Sequence, residues 1–163
     1  METISEDAGT LETGGLKAIL LGGLTAGVLD IAAASVSTWL RTGRGAVSTL
    51  QSVAGGLYGA ETFNGGYRTA ALGLAIHFFI AATAAAVYYL ASRKLKFMVD
   101  RAVLSGVLYG IAVWLFMYMV VLPLSAWKTS VSSFTFSSVL TGVLIHIFCV
   151  GLPIALIVRR FSK

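Results

Sequence analysis

The stretch LKAILLGGLTAGVLDIAAASVSTWL at residues 16–40 decides the fold, because it is long and apolar enough to cross a lipid bilayer as a helix. About 20 mainly apolar residues are needed to span the hydrocarbon core. Three further stretches meet this condition, at residues 70–92, 103–126 and 139–158. The sequence therefore predicts an all-α, polytopic integral membrane protein whose four transmembrane helices form a bundle.

Composition supports a membrane protein and leaves room for one domain only. The 163 residues are 57% hydrophobic and 12% charged, whereas soluble domains carry about 25% charged residues. We therefore expect residues 16–163 to form a single transmembrane domain. Residues 1–15 carry four acidic side chains and no basic one, so they are predicted to be a disordered tail. A cleaved signal peptide would begin with positive charge and have a shorter apolar run.

The distribution of basic residues predicts the orientation in the membrane. Eight Lys and Arg lie on the side shared by the two termini and the central loop, and four lie on the other side. Because cytoplasmic loops carry the excess of positive charge, both termini are predicted to be cytoplasmic. The net charge of +5 lies at span ends, where it attracts anionic lipid head groups. The expected partner is thus the bilayer and not a nucleic acid.

Two histidines lie at matching positions of the second and fourth spans. The pattern Gly-x-x-Ile-His-x-Phe occurs at residues 73–79, with His77, and again at residues 142–148, with His146. The first and third spans each carry a Gly-x-x-x-Gly pair. The order predicts two tandem helical hairpins, related by an axis along the membrane normal because the matching spans run in the same direction.

The paired glycines, Gly23 with Gly27 and Gly106 with Gly110, are predicted to be helix-packing positions. Lipid tails are as apolar as leucine, so helices associate in a bilayer through close contact at small residues. Packing within one chain is the simpler interpretation. A homodimer seam through one of these faces is the alternative.

The connection between the first two spans, residues 41–67, is longer than the one between the last two. It is predicted to contain a short amphipathic helix. That helix is predicted to lie at the membrane interface, and the alternative is a re-entrant segment that dips into the bundle. Its apolar residues at helical spacing are Val47, Leu50, Ala54, Leu57 and Tyr58.

Asp30, His77 and His146 are the ionisable residues farthest from any span end. At 1.5 Å of rise per residue, all three lie within about 6 Å of the span centres. They are displaced towards the side opposite the termini, where the connections at residues 41–67 and 127–136 lie, and this side is called the loop side. Ionisable groups are costly in the bilayer and face the bundle interior or a water-filled cavity. They are predicted either to form a hydrogen-bonded polar knot or to relay a proton or ion.

A cofactor site is a further hypothesis for the same residues. His77 and His146 on facing helices are the ligand types that hold a b-type haem. Adding Cys149 and Asp30 gives a ligand set for a transition metal. Because two histidines alone are a weak signature, no cofactor and no metal is predicted.

No hydrolase, metalloprotease, phosphate-loop or dinucleotide-binding motif occurs in the chain. We therefore expect that the protein is not an enzyme. The expected function is transport of a small solute or proton, or an accessory or structural role in a larger membrane complex, with the chain forming a homo-oligomer. The alternative is a membrane redox protein that binds haem b through His77 and His146.

Several stretches resemble a family of small, uncharacterised four-span bacterial inner-membrane proteins. They are LQSVAGGLYGAETFNGG at 50–66, TAALGLAIHFFIA at 69–81, YYLASRKL at 88–95, VVLPLSA at 120–126 and HIFCVGLPIAL at 146–156. The resemblance implies a four-helix protein of the bacterial inner (cytoplasmic) membrane. It implies no activity, substrate or site.

Overall fold

The computed structural model describes residues 2–128 and 135–162, with side chains from Gly14 onward. Within these ranges the secondary structure is helical and includes no strand. The helices are α1 (Glu2–Thr42), α2 (Ala46–Tyr58), α3 (Gly66–Lys94), α4 (Phe97–Asp100), α5 (Ala102–Phe116), α6 (Leu122–Leu124), α7 (Phe136–Ile145) and α8 (Leu152–Phe161). A 3-10 helix, Gly59–Asn64, follows α2, and π-helical segments join α5 to α6 (Met117–Val121) and α7 to α8 (His146–Gly151).

Four helical segments are long and apolar enough to cross a membrane: span 1 (Gly14–Thr42), span 2 (Gly66–Lys94), span 3 (Ala102–Leu124) and span 4 (Phe136–Phe161). Each matches a predicted stretch to within four residues at either end, which confirms the all-α, four-helix prediction. Their outer surfaces carry exposed leucines and phenylalanines, such as Leu24 and Phe79. These surfaces suit hydrocarbon as the surrounding solvent. The disordered tail at residues 1–15 stays a prediction.

Span 1 is central to the bundle, because it packs against span 2 on one side and span 4 on the other. Span 3 packs on span 4. Spans 2 and 3 meet through tyrosines: the Tyr109 hydroxyl donates to the Ala84 carbonyl at 2.7 Å, and its ring lies edge-on to Tyr88, with 5.0 Å between centroids. The four spans thus enclose a common interior.

Glycines allow the two helices of the first hairpin to come into close contact. A Cβ atom added to Gly23 would lie 2.7 Å from the Cα of Ala82, and one added to Gly27 would lie 2.7 Å from the ring of Phe78. Any side chain at Gly23 would clash with the backbone of span 2, which cannot move away as a flexible side chain can. The two pairs also show that spans 1 and 2 run antiparallel.

The second hairpin uses the same packing register. A Cβ atom on Gly110 would lie 2.6 Å from the Cα of Ile147, and one on Gly106 would meet the backbone of Gly151 and Leu152. In each hairpin the first glycine of the pair (Gly23 or Gly106) faces the residue five positions after the histidine of that hairpin. The second glycine (Gly27 or Gly110) faces the residue one position after that histidine. All four glycine faces are thus occupied within one copy, so the alternative of a dimer seam through them finds no support.

The predicted helix between spans 1 and 2 is present as α2, and it packs along span 2. Its apolar residues Leu57 and Tyr58 point outward, with 64% and 63% of their surface exposed, whereas Thr49 and Gln51 are buried at 6% each. The Gln51 amide donates to the Gly66 carbonyl at 3.0 Å. The exposure of α2 is mixed, because the apolar residue Ala54 is fully buried while Leu57 and Tyr58 are exposed. The interfacial position of this helix stays a prediction.

The solid core lies on the side of the chain termini. Buried residues from all four spans and from α4 pack there, among them Tyr88, Ile154 and Val158, none of which has any exposed surface. Tyr88 satisfies its hydroxyl by donating to the Met98 carbonyl at 3.0 Å. On the loop side, the interior contains no comparable cluster among the described residues.

The two π-helical segments each end just before a proline. Met117–Val121 precedes Pro123, and His146–Gly151 precedes Pro153. Proline has no N–H to donate and its ring crowds the preceding turn, so the helix widens there. Spans 1 and 2 have no proline, so the two hairpins share a packing register but differ in helix geometry.

We expect Gly23→Ala to destabilise the protein by about 1–3 kcal/mol, because the methyl group must force apart the backbones of spans 1 and 2. Gly56→Ala is the matched control, since a Cβ atom there has nothing within 4 Å. It should leave stability within about 0.5 kcal/mol or raise it by helix propensity. Thermal unfolding in detergent, followed by circular dichroism, measures both. Equal melting temperatures for the two variants would contradict this packing.

Candidate functional site

A cavity of about 410 Å³ lies inside the bundle, from the middle of the spans towards the loop side. All four spans and α2 contribute to its wall. About half of the lining residues are apolar. The polar ones are Asp30, Ser37, Thr38, Arg41, Thr49, Ser52, His77, Tyr118, Ser138, Thr141 and His146.

The inner end of the cavity stops at small and aliphatic residues, Ala26, Ala84, Val113 and Val150. Beyond them lies the buried core of the termini side. The other end reaches Arg41, an exposed residue in the last turn of α1. The cavity is therefore a pocket that enters from the loop side and ends near the middle of the spans.

Asp30 and His77 face each other across spans 1 and 2. The His77 Nε2 atom lies 2.9 Å from the Gly27 carbonyl oxygen and 4.0 Å from the Asp30 Oδ2 atom. Because a carbonyl oxygen only accepts, Nε2 must carry the proton of this hydrogen bond. The side chains of His77 and Asp30 are 12% and 19% exposed. The pair is thus shielded but still reached from the cavity.

Asp30 receives no hydrogen bond from the described residues. The 4.0 Å separation from His77 is too long for one, and His77 donates its Nε2 proton to Gly27 instead. Asp30 is also the only carboxylate in the four spans. Asp30 is partly buried, and a carboxylate without a close partner is costly in a bilayer.

His146 lines the same cavity from the start of the π-helical segment of span 4. Its Nδ1 atom donates to the Gly142 carbonyl oxygen at 2.8 Å, which leaves Nε2 as the second ring nitrogen. The ring lies edge-on to Tyr118, with 6.4 Å between centroids, and Tyr118 stacks on Trp114 at 4.9 Å. Of this aromatic stack, Tyr118 lines the cavity.

Thr49 brings an unusual hydroxyl to the cavity. The side chain is 6% exposed, lines the cavity, and its Oγ1 atom has no hydrogen-bond partner among the described residues. Its helix is held in place by Trp127, whose indole N–H donates to the Ser52 carbonyl at 2.9 Å. The ring of Trp127 also packs against Gly55. A fixed, buried hydroxyl without a partner points to a ligand or water that completes its bonding.

The residues offer little to a metal or to haem. Among the described residues, no group of three or more His, Cys, Asp or Glu side chains could hold a metal ion. Cys149 does not line the cavity, so it is not placed with Asp30 and the two histidines. His77 Nε2 is already bonded to a carbonyl, and only its Nδ1 atom remains for a haem iron. The haem hypothesis gains no support from this geometry.

The structure brings the three predicted polar residues, Asp30, His77 and His146, to one cavity. Sequence reasoning missed Thr49 and Tyr118. The apolar residues of α2 predict an amphipathic helix, and nothing in that pattern points to Thr49. One copy of the chain encloses the cavity.

Four helices that suit a bilayer, arranged around a polar pocket, define a multi-pass α-helical membrane protein. No family model, curated protein or solved structure matches the chain. Membership of a bacterial four-span family therefore stays a prediction.

We expect Ala34→Cys to react with a charged, membrane-impermeant maleimide, because Ala34 lines the cavity. Ala32→Cys is the matched control: it lies at nearly the same depth, is exposed on the span surface and is not part of the cavity wall. A thiol facing hydrocarbon forms no thiolate and should not react. Both variants are made with Cys149 replaced by alanine and labelled in proteoliposomes. Equal labelling of the two would contradict a water-accessible cavity.

Proposed function

We propose that the protein is a small transport-related membrane protein that admits a proton or small solute into the cavity between its spans. The observation that carries the proposal is the Asp30–His77 pair, shielded at the inner part of a cavity that all four spans line. A structural polar knot would be expected to satisfy its own hydrogen bonds. Asp30 has no such bond among the described residues, which favours a role in binding.

The chemistry of the pair suits proton transfer. Histidine is the side chain whose charge changes near neutral pH. His77 keeps one ring nitrogen bonded to the Gly27 carbonyl, so its Nδ1 atom is the one that exchanges a proton with the cavity. Asp30 lies 4.0 Å from the same ring. His146 lines the same cavity and is a second group of the same kind.

The location and assembly of the protein follow from the sequence and belong to the same proposal. We propose the bacterial inner membrane, on the basis of the sequence resemblance, with both termini in the cytoplasm. Because one copy encloses the cavity, a homo-oligomer is not needed to form the site. An accessory role in a larger membrane complex would use the outward apolar surfaces of the spans, with the same cavity inside.

Asp30→Asn should lower proton uptake into proteoliposomes by at least about tenfold, because the amide removes the only charge of the spans that can pair with His77. Uptake is measured with an enclosed pH-sensitive dye after a potassium diffusion potential is imposed. Asp100→Asn is the matched control. It makes the same chemical change at an exposed carboxylate in the short helix α4, outside the cavity.

Three results separate the possibilities. Reduced uptake in Asp30→Asn with normal uptake in Asp100→Asn supports the proposal. Equal uptake in all three proteins excludes Asp30 from the path. Wild-type uptake no greater than in empty liposomes excludes proton transport. The same comparison of variants is then made with benzylamine as the solute.

The orientation is tested by reporter fusions. Alkaline phosphatase is active only after export, so a fusion after Lys163 should be inactive and one inserted at Gly43 should be active. Gly43 lies in the exposed connection between α1 and α2. The physical reason to expect cytoplasmic termini is the excess of Lys and Arg beside the termini and the central loop. The reverse pattern of activity would show that the termini are outside.

A further inference from the structure

We propose that the cavity binds a small amphipathic cation, with the ammonium group beside Asp30 and an apolar body against the aliphatic wall. This inference deepens the proposed function and rests on it, because it names the class of solute that the same site takes. Three features of the cavity support it: the charge of Asp30, the buried hydroxyl of Thr49, and the size and composition of the wall.

Charge selects a cation. Asp30 lies within the cavity wall, is 19% exposed and has its nearest basic partner at 4.0 Å, so its charge is incompletely compensated. The other charged or titratable groups of the wall are Arg41, His77, Tyr118 and His146. Arg41 is exposed at the loop-side end, and its Nε atom donates to the Ser37 carbonyl at 3.4 Å. An anion entering deeper than Arg41 would meet the Asp30 carboxylate, whereas a cation would neutralise it.

The Thr49 hydroxyl supplies a second, independent indication of a polar ligand. It is buried, fixed on α2 and without a partner among the described residues. It belongs to the same cavity wall as Asp30. A hydroxyl accepts hydrogen bonds as well as donating them, so an N–H group of a ligand can satisfy it.

The wall selects an organic cation rather than a bare ion. Transition-metal cations are held by several His, Cys, Asp or Glu side chains, and the described residues include no group of three or more of these that could hold a metal ion. Aliphatic residues such as Ile31, Ile80 and Val113 make up much of the lining. A volume of about 410 Å³ falls within the range of small-molecule sites. Aliphatic wall residues near one carboxylate suit an amine on a hydrocarbon body.

The test compares three probes of one shape and different charge: benzylamine, benzyl alcohol and benzoate. Binding to the full chain in detergent is measured by isothermal titration calorimetry at neutral pH. We expect saturable binding of benzylamine, at least tenfold weaker binding of benzyl alcohol, and no binding of benzoate. Asp30→Asn should weaken benzylamine binding at least tenfold, whereas Asp100→Asn should leave it unchanged.

A second variant keeps the test decisive if Asp30→Asn fails to fold. Thr49→Val replaces a hydroxyl that bonds to no described residue with a methyl group of the same shape, so the fold should be kept and the melting temperature should not fall. Benzylamine binding should nevertheless weaken about three- to tenfold. A variant that melts at or above the wild-type temperature but binds benzylamine equally well would remove Thr49 from the site.

The outcomes distinguish this inference from the proposed function. Equal binding of benzyl alcohol and benzylamine, or tighter binding of benzoate, overturns the cation assignment. Absence of saturable benzylamine binding also overturns it, while proton uptake that depends on Asp30 would leave the proposed function standing. Binding that depends on Asp30, without uptake of benzylamine or protons into proteoliposomes, supports the site and overturns transport.

Discussion

Close contact between backbones is the constraint on which the rest of this structure depends. Helices surrounded by hydrocarbon gain little by hiding apolar side chains from one another, so their association relies on dense packing. Gly23 and Gly27 give spans 1 and 2 that contact, and Gly106 and Gly110 give it to spans 3 and 4. Because both hairpins are held together in this way, Asp30, His77 and His146 are brought to one interior space.

Much of the fold could be predicted from the sequence, because the signals are local and strong. A bilayer requires about 20 apolar residues for each helix, so the four spans were evident from composition alone. The matching glycine pairs also indicated which faces pack, since a residue without a side chain in a membrane helix marks close approach. The predicted polar layer followed from the cost of burying charge, and the structure places its three members on one cavity.

What could not be predicted depends on packing between segments that are distant in the sequence. The burial of Thr49 follows from where α2 lies, and α2 is fixed by Trp127, 75 positions further along the chain from Ser52. On the termini side the interior is filled by packed residues such as Tyr88, Ile154 and Val158, whereas the cavity is the volume that the four spans and α2 leave between them. The spacing of apolar residues within one helix does not predict the volume that is left between four packed helices.

The two hairpins also reveal how the chain differs from a simple repeat. The matching glycines Gly23 and Gly106 are 83 positions apart, whereas the matching histidines His77 and His146 are 69 apart. The first hairpin therefore has 14 more residues between its first glycine and its histidine, close to the 13 residues of α2. The same helix supplies Thr49 and Ser52 to the cavity. The asymmetry between the hairpins thus coincides with the segment that covers the site.

The wide turns before Pro123 and Pro153 make the two halves of the bundle mechanically unequal. A turn that has lost a regular i to i−4 bond bends at lower cost than an intact one. We therefore expect spans 3 and 4 to bend more easily than spans 1 and 2, which contain no proline. His146 begins the π-helical segment of span 4, whereas Asp30 and His77 lie on the two spans without proline. We therefore expect a change in the shape of the cavity to move the His146 imidazole more than the Asp30 carboxylate.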